Sequence, residues 1–209
     1  MTDGGGHMLP ATGFQYRFCI FLTPDTQGVL MMKDEKEDDL VNAEKKLSSN
    51  ASKKMEDGAV TQGYRGERHR LIGLLNTALA SELVCFLRYT RHYYMVSGLS
   101  NAALKAEFMQ HAQEEMQHAN MLAERIVQLN GKPDFDPGDL VNNAHTEYDD
   151  TDKIQGMIKA NLVAERIAIE SYRKMIQELG NSDPSTSLLL TTILSKEEEH
   201  AEEMRSLLD

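Results

Sequence analysis

Residues 104–126 read LKAEFMQHAQEEMQHANMLAERI. Leu104, Phe108, Leu122 and Ile126 recur at helical spacing and form one apolar face. The middle of that face carries Glu115 and His118, which stand one turn apart on the same side of a helix. A second stretch repeats the arrangement: Leu190, Leu194, Met204 and Leu208 flank Glu197 and His200. Charge placed in the centre of two apolar stripes is what a solvated helix does not show. It points to helices whose ionisable groups meet inside a bundle.

The helix preceding each of these carries a matching signal. Leu71, Leu75, Ala78, Leu79, Phe86, Tyr89 and Tyr93 form a stripe with Glu82 at its centre. Ile154, Ile158, Leu162, Ile169, Tyr172 and Ile176 do the same around Glu165. Each first helix places a tyrosine seven residues after its Glu, and each second helix carries Glu-x-x-His. The sequence therefore predicts four long helices: about Glu67 to Ser97, Ser100 to Asn130, Thr151 to Leu179, and Asp183 nearly to Asp209. Gly98, Gly131 and Gly180 are their stops, and Asp183 with Pro184 opens the last. Helices one and two are joined by a few residues, as are three and four, so each pair is an antiparallel hairpin. Between the hairpins lie the residues from Gly131 to Asp150, enough extended chain to travel the length of the bundle.

Upstream, residues 1–32 show no clear period and read as a poorly ordered tail. Residues 33–57 are a mixed-charge run, with Leu40, Val41 and Leu47 as its few apolar anchors, and suit a solvated helical arm. Residues 58–209 are the bundle. The 209-residue chain has 33 acidic and 22 basic side chains, a formal charge of −11. That balance argues against specific nucleic-acid binding, which needs clustered Lys and Arg. The two cysteines, Cys19 and Cys85, exclude a disulfide framework, a four-cysteine zinc site and a rubredoxin-type iron site. The apolar stretch from Phe18 to Leu22 is too short for a membrane span. The expectation is a soluble, cytoplasmic, all-α protein without a membrane partner.

Four ionised carboxylates in one interior cost several kcal/mol each unless compensated. Two divalent cations would balance Glu82, Glu115, Glu165 and Glu197, with His118 and His200 completing an oxygen-rich set that suits iron or manganese over zinc. A single Glu-x-x-His is commonly a solvated pair, and Glu197 to Glu199 alone would read as a surface run. The conjunction of two such motifs, two partner glutamates and equal spacing favours a metal site.

At these residues the sequence resembles the bacterioferritin and broader ferritin-like family, including its Dps-like members. The matching text is Ser81-Glu82-Leu83-Val84 with Tyr89, Glu115-Met116-Gln117-His118-Ala119, Ala164-Glu165, and Glu197-Glu198-Glu199-His200. The resemblance implies a ferritin-like four-helix bundle of two antiparallel hairpins joined by a long crossover, here with an N-terminal helical arm. It implies two iron ions (or manganese): Glu115 and Glu197 bridging both, Glu82 with His118 completing one, Glu165 with His200 the other. It further implies Fe(II) oxidation by O2 or H2O2 for iron storage or detoxification, and a homo-oligomer. Tyr89 matches the tyrosine beside the family's site, as an electron or hydrogen-bond donor or as a core residue capping a ligand. Tyr172 reads as packing. Met116 stands where bacterioferritins carry a haem-ligating methionine, and otherwise reads as an apolar interface residue. His111, one turn before Glu115, is a neighbour of the ligands, an accessory iron site or a satisfied core histidine. Nine residues follow His200, too few for the fifth helix of the 24-subunit cages, so the expectation is a Dps-like 12-subunit shell or a smaller assembly. A peroxidase or catalase of rubrerythrin or manganese-catalase type, and a metal-free helical scaffold, are the alternatives.

Overall fold

The computed structural model describes residues 26–208, with side chains from Asp38 onward. Of the expected tail at residues 1–32, residues 1–25 lie outside them and residues 26–32 are helical. The described residues form helices and no strand: α1 Thr26–Ala51, α2 Arg68–Met95, α3 Ala102–Gln128, the short α4 Leu140–Asn143, α5 Ile154–Leu179 and α6 Pro184–Ser206. The described residues divide between Ser49 and Asn50 into two units. Helix α1 lies almost wholly in the first; it starts at Thr26 in place of the expected Lys33. Leu40, Val41 and Leu47, read as its apolar anchors, are exposed.

In the second unit α2 packs on α3, α5 on α6, α2 on α5 and α3 on α6, closing a four-helix bundle. Hydrogen bonds across the bundle set its directions. Tyr89 of α2 donates to Glu165 of α5 while Tyr172 of α5 donates to Glu82 of α2, so these helices are antiparallel. Arg125 of α3 donates to Thr186 of α6 (2.7 Å), and further back along α3 Glu114 meets His200 further along α6 (2.6 Å), again antiparallel.

The crossover does run the length of the bundle, laid along α2. Asn76 donates to the Lys132 carbonyl (3.1 Å), Ser81 accepts from the His145 amide (2.8 Å), and Arg91 donates to the Thr151 carbonyl (3.0 Å). Between them sits Arg88, buried, whose guanidinium donates to Asn161 (2.9 Å), Thr146 (3.2 Å) and the Glu147 carbonyl (3.0 Å). One side chain thus ties α2, α5 and the crossover together, and backbone polar groups that burial would orphan find a donor.

The helix ends follow from local chemistry. Asp183 caps α6 by accepting from the Thr186 amide (2.9 Å), with Pro184 behind it, as expected. Helix α5 ends at Gly180, whose φ of +49° is the left-handed conformation glycine adopts without strain. At the end of α3 the left-handed residue is Asn130 (φ +58°), one before the expected Gly131. The amides of Gly131 and Asn130 close back on Ile126 (2.8 Å) and Val127 (2.8 Å), a Schellman turn. Gly131 serves there by size: a Cβ would lie 2.9 Å from Ile126 and from Ile72. Helix α3 starts at Ala102, two residues after the expected Ser100. A single 3-10 turn, Leu99–Asn101, precedes the helix, and Asn101 turns its side chain back to the Ser97 carbonyl (2.7 Å).

The charges seen in the middle of each apolar stripe split the core in two. On one side Leu71, Leu75, Leu79, Leu122, Ile126 and Leu190 pack together; on the other, Val96, Phe108, Met157, Ile158 and Met204. Each fully buried large apolar side chain contributes roughly 1.5–3 kcal/mol, so two such layers hold the polar slab between them. By length and composition α2 is apolar enough to cross a membrane, but 56% of that window is buried in the bundle, as for a core helix.

Candidate metal centre

All six residues singled out from the motifs are buried, from His118 at 6% exposure to Glu165 and His200 at 0%. They arrive as four helices would deliver them: Glu82 from α2, Glu115 and His118 from α3, Glu165 from α5, Glu197 and His200 from α6. They form two donor groups, Glu82–Glu115–His118–Glu197 and Glu115–Glu165–Glu197–His200, with the ligand atoms of each group within 4.8 Å of one another. Glu115 and Glu197 belong to both.

Both histidines turn Nδ1 toward the centre. His118 Nδ1 lies 2.8 Å from Glu197, 3.3 Å from Glu82 and 3.8 Å from Glu115. His200 Nδ1 lies 3.3 Å from Glu115 and 3.8 Å from Glu197, while its Nε2 is held 2.6 Å from Glu114. A partner on the outer nitrogen fixes the ring and frees the inner one for a metal. The two tyrosines act in the same sense on the carboxylates: Tyr89 holds Glu165 and Tyr172 holds Glu82, each reaching across to the other hairpin. Tyr172 is therefore not mere packing.

The electrostatics are those of a site that crowds like charges. Burial, and then Glu115, push Glu82 up to about 8. Burial and Glu197 raise Glu165 well above the carboxylate range. Glu115 goes the other way: burial works against its charge, but His118 and His200 beside it lower it below its ordinary value. Burial also opposes the charge on the two imidazoles, yet Glu115 and Glu197 lift His200 to about 12 and, with Glu82, lift His118 far above the imidazole range.

Whether a cation fits can be asked of the polar atoms left over. Glu115 Oε1, Glu165 Oε2, both oxygens of Glu197 and Nδ1 of His200 are buried without an aligned hydrogen-bond partner. Buried polar atoms are nearly always satisfied. These atoms converge on the shared centre, and their type, four carboxylate oxygens and one imidazole nitrogen, suits iron or manganese.

Sequence reading missed Glu114, whose neighbour Glu115 is a ligand candidate but whose own partner is 86 positions away. It also missed the buried Arg88. The signal for Tyr172 was present in the seven-residue spacing it shares with Tyr89. Met116 is outside the donor groups, partly buried against the larger apolar layer. His111 is fully buried, hydrogen-bonded to Tyr89 (3.1 Å) and stacked on His200 at 4.1 Å between ring centres. Burial drives the Cys85 thiol well up, so it offers no thiolate.

With this geometry in hand, the likenesses to known proteins are informative. The profile of the ferritin-like domain matches residues 72–209. A Synechococcus protein named nutrient stress-induced DNA-binding protein is 32% identical over 132 residues, 61% of this chain and 74% of its own. A Desulfovibrio desulfuricans bacterioferritin is 28% identical over 142 residues, 66% of this chain and 74% of its own. Among solved structures, the dodecameric thioferritin of Bacteroides fragilis, described as bacterioferritin-related, superimposes with a TM-score of 0.66 at 31% identity, over 69% of this chain and 87% of that one.

Proposed function

The chain belongs to the ferritin-like domain family, and from that premise we propose that it takes up Fe(II) as substrate and oxidises it at the bundle centre, in the service of iron storage or detoxification. The observation that carries the reading is the pair of donor groups sharing Glu115 and Glu197. Two cations can sit side by side there, each with a terminal carboxylate and an imidazole of its own. Glu82 and His118 would hold one, Glu165 and His200 the other.

Two Fe(II) ions give up one electron each. Together these are the two electrons that reduce H2O2 to water or O2 to H2O2. Holding both donors in one place makes the two-electron step available without releasing a one-electron product. The chain supplies the rest. Glu114 keeps His200 turned inward, Tyr89 and Tyr172 hold the terminal carboxylates, and the two apolar layers keep bulk water out. Tyr89, touching Glu165, is also placed to give an electron or a proton to the centre. The same oxygen-rich donors accept Mn(II), which elemental analysis of the purified protein would detect.

By analogy with the dodecameric relative we propose a homo-oligomer, for which light scattering gives the mass. The Synechococcus relative is named for DNA binding. In this chain residues 58–209 carry 23 acidic against 15 basic side chains, and DNA binding is not part of the proposal.

The test is Fe(II) oxidation with O2 or H2O2 as oxidant, comparing wild type with Glu115→Ala. Loss of a shared ligand should abolish the rate above the no-protein background. Equal rates in the two proteins would overturn the assignment of the centre.

A further inference from the structure

Outside the centre lies a second group of donors. Glu107 and His111 stand one turn apart on α3, and Glu203 comes from α6. His111 Nε2 is 2.8 Å from Glu203 Oε2 and 3.5 Å from Glu107 Oε1. These separations are those between neighbouring ligands of one cation with metal–ligand distances near 2.0–2.2 Å. The side chains of Glu107 and Glu203 are about one-third exposed, at 31% and 35%, whereas His111 is at 0%. The group therefore opens to solvent at its carboxylates and closes inward at its imidazole.

The hydrogen bonding of His111 allows a tautomer in which Nε2 is free to bind a cation. The single hydroxyl proton of Tyr89 goes to Glu165, so the phenol oxygen is left to accept from His111 Nδ1. A neutral imidazole has one N–H. With that proton on Nδ1, Nε2 presents a lone pair to two carboxylates. Three acceptors then face one point.

The donor sets also overlap in sequence from outside to inside. Glu107–His111–Glu203 shares His111 with His111–Glu165–His200, which shares Glu165 and His200 with one half of the centre. Consecutive sets therefore share donors from the solvent-facing carboxylates to the centre.

We propose that Glu107, His111 and Glu203 form a loading site for a divalent cation, which passes inward by way of His111, Glu165 and His200. The inference rests on the centre proposed above but can fail separately from it. Mn(II) serves as the probe. Metal-free wild type, the double variant Glu107→Gln/Glu203→Gln and Glu115→Ala are loaded with Mn(II), counted by equilibrium dialysis and located by anomalous diffraction.

Wild type should bind an outer ion between the three side chains in addition to the central pair. The double variant should lose the outer ion and keep the pair, and Glu115→Ala should lose the pair and keep the outer ion. In Fe(II) oxidation, the half-saturating Fe(II) concentration of the double variant should rise about tenfold or more. Absence of an outer ion from wild type, or an outer ion undiminished in the double variant, would overturn the loading site. An outer ion without a central pair in wild type would overturn the centre and leave the outer site standing.

Discussion

Loading the metal-free centre with two divalent cations should expel about four protons per chain at pH 7. The count follows from the four groups that the interior keeps protonated. Glu82, pushed up to about 8, holds its proton about nine-tenths of the time at pH 7. Glu165, raised well above the carboxylate range by burial and by Glu197, holds its own. His118 and His200 are both lifted far above neutrality by the carboxylates around them. Metal ligation requires ionised carboxylates and unprotonated ligating nitrogens. Both rings offer Nδ1 to the centre, so each must lose that proton, while His200 keeps the one on Nε2 against Glu114. His111 is lowered to about 4 by burial and by His200, so an ion at the outer site displaces no imidazole proton and does not disturb the count.

The sign is definite. Acid favours the protonated, metal-free form, and affinity rises with pH. About four protons shared by two ions give about a hundredfold change in affinity per ion per pH unit, or about 2.7 kcal/mol. Above about pH 8 Glu82 has already ionised, and the count should fall to about three. Calorimetric titration with Mn(II), repeated in buffers of different ionisation enthalpy, reads the number directly. A release of one proton or none at pH 7 would mean that the imidazoles are neutral and the carboxylates ionised without metal. The compensation argued from these distances would then be wrong.

Three substitutions probe the supports of the site. Tyr172→Phe removes the hydroxyl that donates to buried Glu82 and should cost the metal-free protein about 1–3 kcal/mol in urea unfolding; a cost near zero would return Tyr172 to packing. Arg88→Met deprives Asn161, Thr146 and the Glu147 carbonyl of their donor. It should lower stability by about 3 kcal/mol and speed amide exchange in residues 144–151, where the crossover is pinned. Asp183→Ala removes the cap of α6 and the partner of Arg125, with a cost of about 3 kcal/mol, about 1 of it from the cap. Burial opposes the Asp183 charge, but Thr186 and Arg125 hold its carboxyl below the ordinary value. Its stabilisation is therefore present above the unfolded carboxylate range and lost as pH falls through the folded value. The acid limb of the wild-type stability curve should be steeper than that of Asp183→Ala.

The parts of this molecule legible in the sequence are those set by local pattern. Helix number, hairpin pairing and the length of the crossover follow from apolar spacing and from Gly180, Asp183 and Pro184, whose effects act within one turn. The six central ligand candidates were legible because they interrupt a pattern: Glu82 between Leu79 and Phe86 is conspicuous for its place alone. The rest depends on which helix faces which. Nothing near Arg88 announces that its partners are Thr146 and Asn161, since a lone Arg on an apolar stripe also reads as a side chain reaching out to water. Glu203 sits among Glu202, Arg205 and Ser206 in what reads as a solvated last turn, and only the antiparallel docking of α3 on α6 brings it to His111. At the end of α3, Asn130 and Gly131 are both able to end a helix. Asn130 takes the left-handed conformation, and Gly131 is held to glycine by Ile72 and Ile126, which leave no room for a Cβ there.

The charge balance of the interior has two solutions once the side chains are in place. From composition alone, four interior carboxylates require two metal ions for balance. The folded chain has a second solution. Burial and crowding push Glu82 and Glu165 toward the protonated form while the carboxylates push His118 and His200 toward the cation, so the chain's own groups offset much of the charge without metal. A structural metal site has no such alternative, and its fold fails when the ion leaves. On the function proposed above, protons and metal ions would be exchangeable occupants of one cage. That is the property demanded of a centre whose ions are substrate, arriving and departing on each cycle while the bundle around them holds its shape.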